Sequence, residues 1–227
     1  MKITYYGHYC FGIETRGKEL LFDPFIRGND LAKHIDFNSI KADYILLSHG
    51  HADHVSDVEA IARKNEVTLI SNYEIVEWFG KKGIHGHPLN HGGKAVFDFG
   101  ICKYVNAVHT SGLPDGSYGG APGGFVISND EGTFYFAGDT ALTMDMKLIG
   151  EYSPPDFAIL PIGDNFTMGV DDAVIASDFI KCDKIIGAHY DTFPFIVIDK
   201  DDAKRQFSEA GKELILLEIG TSLRIGY

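Results

Sequence analysis

Hydrophobic residues in this chain come in short runs separated by glycine, proline, asparagine and aspartate. Spacing inside the runs switches between the two-residue period of strands and the three-to-four-residue period of helices. Residues 3–6, 10–15 and 19–22 predict an antiparallel meander, with turns at Gly7-His8-Tyr9 and Arg16-Gly17-Lys18 and a stop at Asp23-Pro24. Residues 30–40 are polar and mixed, which suits a short helix or a loop. A buried strand at 43–47 follows, then an amphipathic helix at 55–64, a strand at 67–70 and a helix at 72–80 capped by Asn72 and ended by Gly80. That order implies βαβ connectivity, with helices covering a sheet.

The second half continues the alternation. Strands are expected at 94–97 and 101–108 around Asp98-Phe99-Gly100, and at 125–128 and 133–137 around Asn129-Asp130-Glu131-Gly132. Later strands fall at 157–160, 184–188, 213–217 and 222–225, and helices at 141–149, 170–180 and 201–210. Residues 111–124 hold six glycines and two prolines, too many for regular structure. They read as a surface connection or, because they begin directly after His109, as a substrate lid. No tandem repeat is visible, and one domain over residues 1–227 is expected.

Chemistry concentrates in one stretch, Ser48-His49-Gly50-His51-Ala52-Asp53-His54, on the turn between the strand at 43–47 and the helix after it. Three imidazoles and a carboxylate so close together suit borderline divalent metals, which take nitrogen and oxygen donors. With no cysteine in the set, two adjacent ions fit better than one closed structural site. Asp53 alone could be a helix cap. A second cluster, His85, His87 and His91, lacks a carboxylate and is interrupted by Pro88, so a non-ligating loop is expected. His8 lies in the first turn and His34 in the polar segment.

Composition narrows the classes. Twenty Lys and Arg against 32 Asp and Glu give a net charge of −12, which disfavours nucleic acid as a partner. Cys10, Cys102 and Cys182 are scattered among apolar neighbours and predict buried free thiols. No apolar run reaches the length of a membrane span and no leader resembles a signal peptide, so a cytoplasmic protein is expected. A small-molecule substrate is the expected partner; a homo-oligomer stays open.

His49, His109, Asp139 and His189 each stand at the C-terminal end of an expected strand, the edge at which α/β sheets bind ligands. The order H-x-H-x-D-H, a lone His, Gly-Asp-Thr and a last His resembles the metallo-β-lactamase superfamily. Gly7-His8-Tyr9-Cys10-Phe11, Gly138-Asp139-Thr140-Ala141-Leu142, the stretch 161–169 from Pro161-Ile162-Gly163 and Ala188-His189-Tyr190-Asp191-Thr192-Phe193-Pro194 resemble its branch of metal-dependent hydrolases, similar to ascorbate-6-phosphate lactonase.

The resemblance implies an αββα sandwich, an α/β layered fold of two mixed sheets flanked by helices. It implies two divalent ions, Zn2+ or Mn2+: His49, His51 and His109 holding one, Asp53, His54 and His189 the other, and Asp139 bridging them. His8 would line the active site and Asn165 would face the substrate. The expected chemistry is hydrolysis of an ester, lactone or phosphoester by a hydroxide shared between the ions, with Asp53 orienting it and moving its proton. Alternatives are a nuclease or phosphodiesterase of the same superfamily, di-iron redox chemistry, which His51 in place of a glutamate disfavours, and a noncatalytic metal-stabilised binding module.

Overall fold

The strands assemble into two sheets in a computed structural model that describes residues 1–226. β1 (Lys2–Gly7), β2 (Cys10–Thr15) and β3 (Lys18–Phe22) form the expected meander. After two short 3-10 turns, β4 (Tyr44–Leu46) pairs in parallel with β3. Next come α1 (Ala52–Val55), α2 (Val58–Ala62), β5 (Thr68–Asn72), α3 (Tyr73–Gly80) and β6 (Gly86–Leu89), with β5 and β6 again parallel to their neighbours.

The second sheet takes β7 (Lys94–Phe97), β8 (Gly100–Asn106), β9 (Gly123–Asn129) and β10 (Gly132–Phe136), all antiparallel. α4 (Met146–Tyr152), β11 (Phe157–Pro161), α5 (Val170–Phe179), β12 (Lys184–Ala188), α6 (Lys200–Glu209) and β13 (Glu213–Ile215) add its parallel half. β14 (Ser222–Arg224) returns to the first sheet beside β1. Each sheet has seven strands, ordered β14-β1-β2-β3-β4-β5-β6 and β13-β12-β11-β10-β9-β8-β7.

Side-chain alternation explains the layering. Leu20 and Phe22 of β3 point between the sheets while Leu21 points to the helices; Leu46 and Ile45 divide in the same way on β4, and Ile159 and Ala158 on β11. A central strand buried on both faces reads as a continuous apolar run, which is why 43–47 and 157–160 lack polar alternation. Aromatic rings fill the layer between the sheets, with Phe22 stacked on Phe136 at 4.5 Å. The two mixed sheets with helices outside make the expected αββα sandwich. No helix among the described residues is long and apolar enough to cross a membrane. All three cysteines are free and buried.

Four segments differ from their sequence expectation. The helix expected at 55–64 is broken into α1 and α2 at Ser56-Asp57, because Asp57 is drawn out of the helix: its carboxylate accepts from the N–H groups of Ile26 and Arg27 and pairs with Arg27 Nε at 2.6 Å. The helix expected at 141–149 starts only at Met146, since Thr140 and Ala141 are hydrogen-bonded to Val108 instead. Within the loop expected at 85–93, β6 forms as an edge strand, a place where Pro88 removes no needed donor. Lastly, 111–124 is pinned rather than loose: Ser111 Oγ accepts from Gly50 N and donates to Gly119 O.

Asn72 couples this loop to a helix. Its side-chain oxygen caps α3 by accepting from Ile75 N, while Nδ2 donates to Gly119 O at 2.7 Å and Ala121 O at 3.2 Å. A cap contributes about 1 kcal/mol and each buried hydrogen bond a similar amount. Asn72→Ala is therefore expected to lower unfolding stability by about 2–3 kcal/mol. Urea denaturation checks the magnitude, and faster amide exchange confined to 111–122 checks the mechanism.

Candidate metal centre

The C-terminal ends of β4, β8, β10 and β12 meet at one rim of the sandwich. Two glycines permit it. A Cβ on Gly138, which has φ +64°, would lie 2.5 Å from Ser48 Cβ, and one on Gly163 would lie 2.0 Å from the carbonyl oxygen of His189. The sheets are also tied there by His189 N donating to His8 O at 2.9 Å and Tyr104 OH donating to Ser48 O at 2.9 Å. Several residues at this rim adopt left-handed backbone: His8, Asp23, Asp164, Asn165, His189 and Asp191 have φ between 42° and 62°. Such strain persists only where surrounding structure imposes it, and His, Asp and Asn tolerate it better than most residues.

Four imidazoles converge on one oxygen. Asp139 Oδ2 lies 3.0 Å from His189 Nε2, 3.4 Å from His54 Nε2, 3.6 Å from His109 Nε2 and 3.9 Å from His49 Nε2. Around it the donor atoms form two sets whose members lie within 4.8 Å of one another: His49, His51 and His109, and His8, Asp53, His54 and His189. Every residue singled out as a ligand in the sequence is thus at this rim. A third close set, Asp23, His49 and His54, is a hydrogen-bonded support, since both Asp23 oxygens are already engaged.

That support sets the tautomers. Asp23 accepts from Ser48 N at 2.8 Å, Ser48 Oγ at 2.5 Å and His54 Nδ1 at 2.9 Å. Because the Ser48 hydroxyl gives its only proton to Asp23, its oxygen accepts from His49 Nδ1 at 2.9 Å. His49 and His54 therefore both turn Nε2 toward Asp139. Carboxylate and hydroxyl partners behind histidine ligands do this in metal sites generally. On the other side of the cluster, His8 Nε2 lies 3.1 Å from Asp53 Oδ2, and His8 Nδ1 3.0 Å from Thr192 Oγ1.

Electrostatics divide the imidazoles. Burial holds His49, His51 and His109 below the ordinary histidine value and lowers His8 from 6.5 to about 4, so these rings stay neutral. His54 goes the other way: burial opposes its charge, yet the flanking carboxylates Asp139 and Asp23 outweigh burial and hold it well above 6.5. For Asp139 burial favours the protonated acid, but His189 and His54 prevail and keep it ionised; for Asp53 the hydrogen bond from His8 and the charge of His54 do the same. In the bare protein, the His54 proton thus stands where positive charge is needed.

The residues fit a divalent cation. His54 Nε2 and Asp139 Oδ1 are buried without hydrogen-bond partners, and a buried unsatisfied polar atom costs about 1–3 kcal/mol. The neutral rings of His49, His51 and His109 and the ionised carboxylates are also in the protonation states that metal binding requires, and His54 would give up its Nε2 proton on binding.

The cluster opens into a cleft of about 520 Å³, lined by His51, Asp53, His109, Asp139 and His189. Thr110, Phe166, Phe193, Pro194 and Phe195 complete its lining. Asn165, expected to face the substrate, is exposed and does not line it. With Asp164 and Asn165 both left-handed, the turn brings Phe166 to the cleft instead. The second histidine cluster stays away from the centre: His91 Nε2 contacts Pro122 O at 2.9 Å and His87 packs edge-on against Phe97. Asp23, Thr192 and the phenylalanines were not recognised as site residues in the sequence. For Asp23 a signal existed, since it ends β3 at the same rim; for the others, proximity to His189 or to the 161–169 stretch was the only cue.

The fold and its histidine rim define a class of metalloprotein, and the Beta-lactamase superfamily domain model matches residues 2–189. A "UPF0173 metal-dependent hydrolase" from Christiangramia forsetii is 58% identical, with 99% of this chain and 100% of that protein covered. "UPF0173 metal-dependent hydrolase YtkL" from Bacillus subtilis is 44% identical over 88% of this chain and 90% of that protein. Among solved structures, Igni18, a metallo hydrolase from the archaeon Ignicoccus hospitalis, superposes with a TM-score of 0.91 at 32% identity, covering 100% of this chain and 98% of its own. The chain belongs to the metallo-β-lactamase superfamily and, within it, to the UPF0173 metal-dependent hydrolase family.

Two outcomes follow from the support and the buried ring. Asp23→Asn is expected to weaken metal affinity by about 10–100-fold, read by chelator competition. In metal-stripped protein, His8 is neutral when folded down to pH about 4, whereas the unfolded chain takes up a proton near 6.5. The unfolded state then binds more protons across that window, so stability falls as pH drops from 6.5 to 4. His8 accounts for up to about 3 kcal/mol of that fall. His8→Gln should flatten the slope in urea titrations; an unchanged slope would place the proton uptake elsewhere.

Proposed function

We propose that this chain hydrolyses an ester- or lactone-type bond of a small molecule with two divalent cations, Zn2+ or Mn2+. His49, His51 and His109 would hold one ion and Asp53, His54 and His189 the other, with Asp139 between them. The observation that carries the reading is the convergence of four Nε2 atoms on Asp139 Oδ2 within 3.0–3.9 Å. The names of the relatives, metal-dependent hydrolase and metallo hydrolase, support it.

When bound, such ions acidify water and polarise the substrate carbonyl. The chain's own residues do the rest. Asp53 is held ionised at the cleft and can accept a proton from the attacking water. In the reaction the water oxygen bonds to the acyl carbon, the acyl–oxygen bond breaks, and the proton held by Asp53 passes to the leaving oxygen. His8 is neutral, so one consistent arrangement has Nε2–H donating to Asp53 while Nδ1 accepts from Thr192. That chain fixes the carboxylate during transfer.

Two observations weigh against the nuclease alternative. The net charge is −12, and among the described residues no lysine or arginine lines the cleft. A nucleic-acid substrate relies on such cations for most of its binding energy.

Elemental analysis of protein purified without added metal, followed by a panel of lactones, esters and phosphodiesters, tests the proposal. Two equivalents of metal and turnover of uncharged acyl substrates are expected. Asp139→Asn and His189→Ala should lower metal content and activity together. Unchanged occupancy and turnover in both variants would remove the assignment, and a strongly coloured protein rich in iron would move it to redox chemistry.

A further inference from the structure

The ligand rim and the remainder of the cleft differ in chemistry. Phe166 follows β11 and Phe193 and Phe195 follow β12, so the apolar lining comes from two loops of the parallel half of one sheet. Phe195 is 74% exposed and Phe166 49%, and their rings meet edge to face at 6.3 Å. Phe193 sits deeper, with its ring 5.3 Å from that of His8 and 6.3 Å from that of Phe25. Aromatic surface left in water beside a reactive centre gains by covering, about fourfold in affinity for each methylene buried.

Charge selects further. Among the described residues, the cleft lining contains two carboxylates, Asp53 and Asp139, and no lysine or arginine. Arg27 lies in an adjoining cleft of about 570 Å³ that shares Asp53 and Phe193 with it. Its Nε pairs with the buried Asp57, 2.6 Å from Oδ1, its guanidinium stacks on Phe37, and it is not part of the lining that holds the phenylalanines. Away from the ligand rim, an anionic substituent seated on the phenylalanines would meet no lysine or arginine side chain of the cleft lining.

We infer that the cleft takes a substrate whose substituent is uncharged and aromatic or branched aliphatic, seated on Phe166, Phe193 and Phe195. The bond broken rests on the hydrolase reading above; the apolar subsite does not. Phe195, the most exposed of the three, sets specificity through the ring surface it offers the substituent.

Ligand-observed NMR on the protein as purified tests the subsite without turnover, using 4-phenylbutan-1-ol and butane-1,4-diol as probes. The aromatic alcohol is expected to bind at least tenfold more tightly, and Phe195→Ala and Phe166→Ala each to reduce that preference several-fold. Equal affinity for the two probes, or a preference untouched in the double variant, would overturn the inference. The kinetic arm compares kcat/KM for pentanoyl, phenylbutyryl and hemisuccinyl esters of one alcohol. Phenylbutyryl is expected to lead and hemisuccinyl to trail by tenfold or more, with the ratio collapsing in the variants; a hemisuccinyl preference refutes it. If no ester turns over but the NMR preference and its loss in the variants hold, the apolar subsite stands and the hydrolase reading falls.

Discussion

A carboxylate that is 3% exposed and ringed by four imidazoles is the constraint around which this molecule is built. Removing Asp139 from water disfavours its ionised form, and only nearby positive charge reverses that preference. In the bare protein His54 carries the charge. A divalent cation could supply more of it and satisfy the orphaned Asp139 Oδ1 and His54 Nε2. Such a centre cannot be assembled from one segment, because the participants arrive on four strand ends. The rest of the fold holds those ends together.

The means are local and specific. Ser48 and Asp23 form a second layer behind His49 and His54, fixing which ring nitrogen faces inward. Gly138 lets the end of β10 touch Ser48 of the other sheet, and Gly163 lets the loop after β11 touch the end of β12. Left-handed backbone at His8, Asp23 and His189 turns side chains into a rim where ordinary strand exits would direct them away. Asp57 leaves its helix to hold the 24–27 segment beside Asp53, so an irregularity in α1 and α2 positions the site's edge. Several departures from ideal local structure thus lie next to the chemistry, where such departures are expected.

Shared architecture does not decide substrate, because function resides in the site and the loops that frame it. Here the candidate ligand residues sit on strand ends and the α1 turn, while the apolar lining is supplied by loops after β11 and β12. The first set is suited to holding a cation; the second lines the approach to it.

The sequence by itself determined the strand and helix order, the apolar faces and the candidate ligand set. Each of these follows from short-range periodicity or from residue types whose chemistry is narrow, as with His49, His51 and His54 on a single turn. Asp139 and His189 were legible because each closes an apolar strand, and the resemblance to known proteins gave them an order. What tertiary structure alone decided depends on contacts between segments distant in the chain. Asp23 reads as a plain turn residue until Ser48 and His54 fold against it, 25 and 31 positions away. Phe166 rather than Asn165 reaches the cleft because two consecutive residues turn left-handed, a choice their composition permits but does not impose. The 111–124 loop is held by Gly50 and Asn72, neither of which marks it in the sequence. Local pattern reports which face of an element is buried; only the packed molecule shows what it is buried against.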